Sequence, residues 1–527
     1  MKGVKMFDRI PKYILVYVLL LLPFKLNAIY VEWPGEDEDA TALLQQAIDS
    51  GEPEVRLANH GSPWIIGQIE LTRDDQRIVF ESGVRVEGKY GAFPETNDKM
   101  FRCYNHKNIE LIGEGETPVL KMPKKSFWEG QHRHLTAWRN VENLTISNLH
   151  LRDSGGDGIY LGSSSNLPCK NVLIEDVICN NNRRQGCSII SVDSCIIRNC
   201  VFKNTYGESP EAGIDCEMNS KDESINALYI ENCVFENNHQ SGFLISFGRA
   251  SNRNPNRHIR IELNNCIMKG NGSAGINIWK CKGNCYNESD YVLFKNCHIE
   301  DNGSAPGYGH PGLFVKNKSS QSLPVTLDSC TFVDNFSNPI KVYADVDGYG
   351  PDCGNLRFED CHIYDDRDRE FLRVRNTTND EGKISKIFGT ITIHNENPKA
   401  CDIRYDSPAD SFDLTIHCNP TGIDSKEIVR TQNHPARFYL YQNYPNPFNP
   451  STKITFDVYE NVQVKITIHN VLGQIVKTLI DGALHVDHYE LYWDATNESG
   501  GKVKNGLYLC QLQTEDKISS IKLIVLR

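Results

Sequence analysis

Apolar and polar residues alternate in short bursts along most of the chain, and the bursts recur. IIRNCVF (Ile196 to Phe202), LYIENCVF, IELNNCIM, VLFKNCHI, VTLDSCTF and LRFEDCHI each alternate, break at Asn, Asp or Ser, and resume with apolar residues. LTISNLHL (Leu144 to Leu151) and VLIEDVIC (Val172 to Cys179) repeat the phrase upstream without its central cysteine. Each phrase predicts two short strands joined at a bend. The central cysteines, Cys200, Cys233, Cys266, Cys297, Cys330 and Cys361, are separated by 33, 33, 31, 33 and 31 residues.

A second column runs out of phase with the first. Gly158, Gly186, Gly213, Gly242, Gly275 and Gly312 open GIYLG, GCSII, GIDCE, GFLIS, GINIW and GLFVK. Three short strands per period, with no helical periodicity between them, predict the coil of a parallel β-solenoid, in which neighbours stack at about 4.8 Å to bury the face that one coil alone cannot. Asn148, Asn199, Asn232, Asn265 and Asn296 then form a turn ladder, and the cysteine column points inward as small apolar thiols. Stacking brings neighbouring cysteines within disulfide range, and Cys281 and Cys285 (CKGNC) are placed to bridge a loop. Ala40 to Ile48 (ATALLQQAI) is apolar at helical spacing with Asp39 as its cap, and covers the open end of the solenoid.

These features together resemble the right-handed parallel β-helix proteins of the pectin-lyase-like superfamily, over roughly Tyr30 to Cys418. The resemblance implies an all-β solenoid with an N-terminal capping helix, the cap occupying about residues 29–60 of a domain at 29–420. After a linker at 421–437, YQNYPNPFNPSTKITFDV (Tyr441 to Val458), the LGQ turn and the G-x-Y strand closely resemble the C-terminal sorting domain of bacterial type IX secretion substrates. That resemblance implies an Ig-like β-sandwich at 438–527, handling by the type IX machinery, and a diderm bacterium as source. The first 28 residues read as a signal peptide: Lys2 and Lys5, a short apolar run from Ile14 to Phe24, and Leu26-Asn27-Ala28 before the cleavage point. The run is too short for a membrane span, so no span is expected in the mature protein.

Composition narrows the partners. With 56 Lys+Arg against 68 Asp+Glu, the net charge is −12, and no basic block supplies the footprint that a nucleic acid needs. The 39% apolar content excludes a disordered chain.

Alternation after the glycine column sorts side chains by face. Ile159, Cys187, Ile214, Phe243, Ile276 and Leu313 point in. Tyr160, Ser188, Asp215, Leu244, Asn277 and Phe314 face out, and Glu217, Ser246, Trp279 and Lys316 share that surface. Asp215 and Glu217, two apart on one strand, lie about 6.5 to 7 Å apart at Cα, so like charge raises one carboxyl and leaves the other ionised. This is the acid and base (or nucleophile) pair of a glycosidase. Arg183 and Arg184, one coil below, are close enough to orient those carboxylates or to grip an acidic sugar bidentately, with Arg184 as the third candidate catalytic residue and Arg183 as a substrate contact. Tyr160 and Trp279 stack on sugar rings, with Ser188 and Asn277 as polar contacts. Asp157 is a subsite or calcium candidate; no organic cofactor is implied. His239 and His310 sit in turns on the same side.

Two alternatives stand beside the hydrolase. GDGIYL followed by NNRRQG resembles the DG and N-x-R-H-G motifs of alginate C5-epimerases, with Asp157 and Arg184 matching; Gln185 stands where that pattern has histidine, which removes the expected acid or base of a lyase or epimerase. A non-catalytic glycan-binding or adhesin-like protein also fits the fold. In each case the partner is a polysaccharide or cell-surface glycan, and the protein is expected to be a secreted or surface-attached monomer.

Overall fold

The computed structural model describes residues 28–418 and 438–526, apart from short breaks that include 249–253, 283–285, 305–310, 345–352, 377–383 and 407–411. The proposed signal peptide, the linker, Cys285 and His310 lie outside the described residues.

Two parallel sheets run the length of the solenoid. Each regular coil contributes two consecutive strands to a 24-stranded sheet and a third to a 12-stranded sheet. One coil shows the order: Cys169–Glu175, Ile178–Asn180, then Gln185–Ile189. The strands that follow the glycine column pair in one unbroken register. Tyr160 faces Ser188, Ser188 faces Asp215, then come Leu244, Asn277 and Phe314. The alternation read from the sequence therefore gives the correct rows, and Ile159, Cys187, Ile214, Phe243, Ile276 and Leu313 are all fully buried.

Backbone proximity explains the glycines. A Cβ on Gly186 would lie 2.5 Å from the carbonyl oxygen of Gly213, and one on Gly213 would lie 2.6 Å from that of Gly242. No side chain fits there without moving a coil. The six cysteines of the repeat are buried and free, each thiol donating to backbone carbonyls such as Ile230 O from Cys266. Cys281 is also buried. Among the described residues a disulfide joins Cys401 to Cys418, a pairing not expected from the sequence.

Asparagine ladders hold the turns. Asn199, Asn232 and Asn265 take the left-handed conformation, and Asn265 donates to Asn232 Oδ1 at 2.7 Å. A second ladder, not read from the sequence, is buried: Asn238, Asn271, Asn302 and Asn335 link amide to amide at 2.9 to 3.0 Å. Each also accepts a backbone N–H from the coil before and donates to a carbonyl, so every buried amide is satisfied. This ladder immediately precedes the glycine column and fixes where each strand of the 12-stranded sheet begins.

The helix spans Thr41–Asp49 and buries Leu44, Ala47 and Ile48 in the same core as the first strands. Asp39 Oδ1 accepts the Thr41 N–H at 2.9 Å. The tail has a core of its own around Trp493 and two antiparallel sheets, of three and four strands. Among the described residues, no helix is long and apolar enough to cross a membrane.

Candidate functional site

The site forms where three successive coils of the 12-stranded sheet, Ile159–Gly162, Gln185–Ile189 and Ala212–Glu217, meet the turns that feed them. Asp215 stands in the outward row between Ser188 and Leu244. It is nevertheless only 1% exposed. Its Oδ2 accepts from Gln185 Nε2 at 2.9 Å, and its Oδ1 has no hydrogen-bond partner among the described residues. Burial, reinforced by the charges of Glu217 and Asp157 and opposed by Arg184, pushes its carboxyl up to about 8. Glu217, two residues on, keeps 23% of its side chain in solvent.

Arg184 connects the carboxyl groups. Its Nη2 lies 3.6 Å from Glu217 Oε2, and its Nη1 lies 3.5 Å from Asp157 Oδ2 and 3.3 Å from Ser188 Oγ. Arg184 thus lies within reach of both Glu217 and Asp157. Asp157, the subsite or calcium candidate, is fully buried beside Arg184, and burial raises its carboxyl to about 6 against the pull of that guanidinium.

One member of the cluster was missed. His134 shares a row with Asp157, because Thr136 pairs with Ile159 two positions on in each strand. Its Nδ1 accepts the Asp157 backbone N–H at 3.0 Å and lies 3.2 Å from Asp157 Oδ2. Burial holds the imidazole well below its ordinary range, so the ring is neutral with its proton on Nε2. Tyr160 stacks on it at 4.7 Å and 13°. The signal was present in RHLTAW, whose His134 precedes its strand by the same two residues as Asp157, but this coil lacks the glycine and cysteine marks used to align the others.

Several expected substrate contacts are otherwise engaged. Arg183 turns away from the carboxylates, donating to Gly130 O at 2.7 Å and lying 3.4 Å from Glu208. Ser188 faces outward in register but is buried under Arg184, so it does not present a free hydroxyl. Tyr160 lies between His134 and the Arg139 guanidinium, 5.4 Å from its ring centre. Asn277 donates to Ser241 Oγ at 3.2 Å, and Lys280 sits 3.9 Å over the Trp279 ring. His239 pairs with Glu211 in a turn. Among the described residues, no group of three or more His, Cys, Asp or Glu side chains is placed to hold a metal ion.

The family model for the right handed beta helix region matches residues 134–286 and 212–398, more than half of the chain. The chain belongs to the right-handed β-helix family. The model of the secretion system C-terminal sorting domain matches residues 442–526. The protein is thus a type IX secretion substrate, carried to the cell surface or the extracellular space. No curated protein matches the chain in sequence. Among solved structures it is similar to the mannuronan C-5 epimerase A-module of Azotobacter vinelandii (16% identity, 73% of this chain and 96% of that one, TM-score 0.37). It is also similar to a family 28 exopolygalacturonase of Yersinia enterocolitica (11%, 74% and 78%, 0.41) and to the endo-xylogalacturonan hydrolase of Aspergillus tubingensis (12%, 76% and 97%, 0.42). None of these likenesses bears on which reaction the present cluster performs.

Proposed function

We propose that the protein is a secreted glycoside hydrolase that cleaves a polysaccharide, with Asp215 as general acid and Glu217 as the carboxylate that activates water or attacks the sugar. The observation that carries this is the contrast between two carboxyl groups on one strand. Asp215, buried, keeps its proton to about 8, whereas Glu217 reaches solvent beside a guanidinium. A glycosidase needs these two states at one pH: a proton for the leaving oxygen and a negative charge on the other side of the bond. Arg184 is the positioning residue, holding Glu217 and Asp157 through one guanidinium. In the same reading, the helix Thr41–Asp49 caps the first coil and the tail's two sheets form the Ig-like sandwich of the sorting domain.

One contact favours a second reading. His134, neutral and stacked on Tyr160 beside Asp157, offers the imidazole that is missing where Gln185 stands, as proton abstraction in a uronate lyase or epimerase requires. The mature chain, incubated with plant, algal and bacterial polysaccharides, separates the two. New reducing ends without ultraviolet absorbance, abolished by Asp215→Asn, support the hydrolase. Unsaturated ends abolished by His134→Gln support the lyase, and neither signal on any polymer leaves a glycan-binding protein.

A further inference from the structure

The outward rows that carry the carboxyl groups continue along the solenoid, and their chemistry changes. The row of Asp215 runs through Leu244, Asn277 and Phe314 to Lys341, Arg373 and Arg404. The row of Glu217 runs through Ser246, Trp279, Lys316 and Tyr343 to Arg375. Two coils without charge in these rows are followed by four that carry five cations. Lys341 is four coil spacings from Asp215, about 19 Å at the ordinary strand separation.

The cations surround an aromatic ring. Lys341 Nζ, the Arg373 guanidinium and the Arg375 guanidinium lie 6.0, 5.8 and 6.0 Å from the centre of Tyr343, and Phe314 meets that ring edge-on at 5.5 Å. Asp406 pairs with Arg373 at 2.6 Å and with Arg404 at 3.0 Å, and Arg369 nearby is taken by Asp365. Lys341 is 7% exposed, and burial together with Arg373, Arg369 and Arg404 lowers its ammonium to about 8. Cations are thus gathered in these rows on a chain of net charge −12, and an anion laid along the strip would meet several of them at once.

We propose that the coils carrying Phe314, Lys341, Arg373 and Arg404 form a binding strip for a polyanionic glycan, its carboxylate or sulfate groups held by Lys341 and Arg375 and a sugar ring set against Tyr343. Regular spacing of one coil per strand separation suits a linear polymer, guanidinium groups grip planar anions bidentately, and the tyrosine face suits a sugar ring. The strip would hold its ligand whether or not bonds are cleaved at Asp215, although on the proposed hydrolase it also names the substrate class.

Binding is measured by titration calorimetry on the full mature chain carrying Asp215→Asn, so that no cleavage intervenes. The probes are polygalacturonate, dextran sulfate, uncharged dextran and a DNA duplex. One or both anionic glycans bind, which tells carboxylate from sulfate recognition, and Lys341→Gln with Arg375→Gln weakens that binding by about tenfold or more, as loss of charge-assisted hydrogen bonds requires. Arg375→Lys restores part of it, and thermal melting of each variant verifies that the coils are intact. Undiminished binding by the double variant, equal binding of uncharged dextran, or duplex DNA bound as tightly as the glycans would each overturn the proposal. Reducing-end release by the unsubstituted chain tests the hydrolase separately, so the two readings fail independently.

Discussion

Gln185 donates from Nε2 to Oδ2 of Asp215 at 2.9 Å, and its Oε1 accepts the Ala212 N–H at 3.0 Å. The backbone donor fixes which end of the amide is oxygen, so the end that meets Asp215 is a donor. Oδ2 is therefore the accepting oxygen, and Oδ1, which has no partner among the described residues, is the oxygen left to hold the proton when the carboxyl is neutral. On the proposed hydrolase, glutamine at this position, where the epimerase-like motif has histidine, would orient the acid.

Asp215→Asn removes the proton donor while keeping the shape. We expect cleavage to fall by at least about a hundredfold, measured as reducing ends, as for the loss of a general acid. Stability should move the other way. Asp215 titrates at about 8 when folded and near its ordinary value of 3.8 when unfolded, so the folded chain holds a proton that the unfolded one releases across that window. Wild-type stability thus falls as pH rises from about 4 to 8, by an amount on the order of several kcal/mol, and the Asn variant lacks this decline. Denaturant midpoints of the two chains that stay parallel from pH 4 to pH 8 would refute the buried, protonated acid.

The same carboxyl sets the alkaline limit of activity. If Asp215 must be protonated, kcat/KM is sustained up to about 8 on this account and falls about tenfold per pH unit above it. A rate profile that instead rises through pH 8 would give the proton-donating role to another group.

Much of this was legible in the sequence. Alternation after Gly158, Gly186 and Gly213 placed Asp215 and Glu217 in the right rows, because a parallel coil in constant register transmits a two-residue period without drift. Burial was not legible. Whether an outward residue is covered depends on its neighbours across coils, and Ser188, Asp215 and Leu244 are all closed over. His134 and the buried Asn238 to Asn335 ladder were missed because each shows itself only once adjacent coils are superposed. The Cys401–Cys418 pairing joins two irregular coils after the periodic part, where no spacing rule applies.

Arg184 touches Asp157, Ser188 and Glu217 at 3.3 to 3.6 Å, so Arg184→Gln strips a fully buried carboxyl of its cation. Asp157 then takes up a proton at a higher pH than its present value of about 6. A raised carboxyl costs stability as pH climbs. The variant should therefore lose roughly 2–4 kcal/mol at pH 8 and much less at pH 5, where the acid is already neutral. Equal losses at both pH values, by urea unfolding, would mean that Arg184 acts through packing alone.

Gly213 ties the scaffold to the chemistry. A Cβ at this position would stand 2.6 Å from Gly242 O, 3.0 Å from the Phe235 ring and 3.1 Å from Asn238 Nδ2, and the first of these contacts is with backbone that cannot swing aside. Gly213→Ala must push the strand Ala212–Glu217 away from the next coil, at a cost of about 1–3 kcal/mol. Asp215 lies two residues along that strand, and its bond to Gln185 and its distance from Arg184 depend on the same backbone. Activity should fall further than stability alone accounts for, because a displacement of a fraction of an ångström breaks the alignment of acid and sugar before it unfolds the coil. The comparison is Gly501→Ala, in the tail, whose Cβ would meet nothing closer than 3.3 Å and which should leave both melting and cleavage near wild type. A Gly213→Ala chain that cleaves at the wild-type rate would show that the site does not depend on the coil register that the glycine column sets.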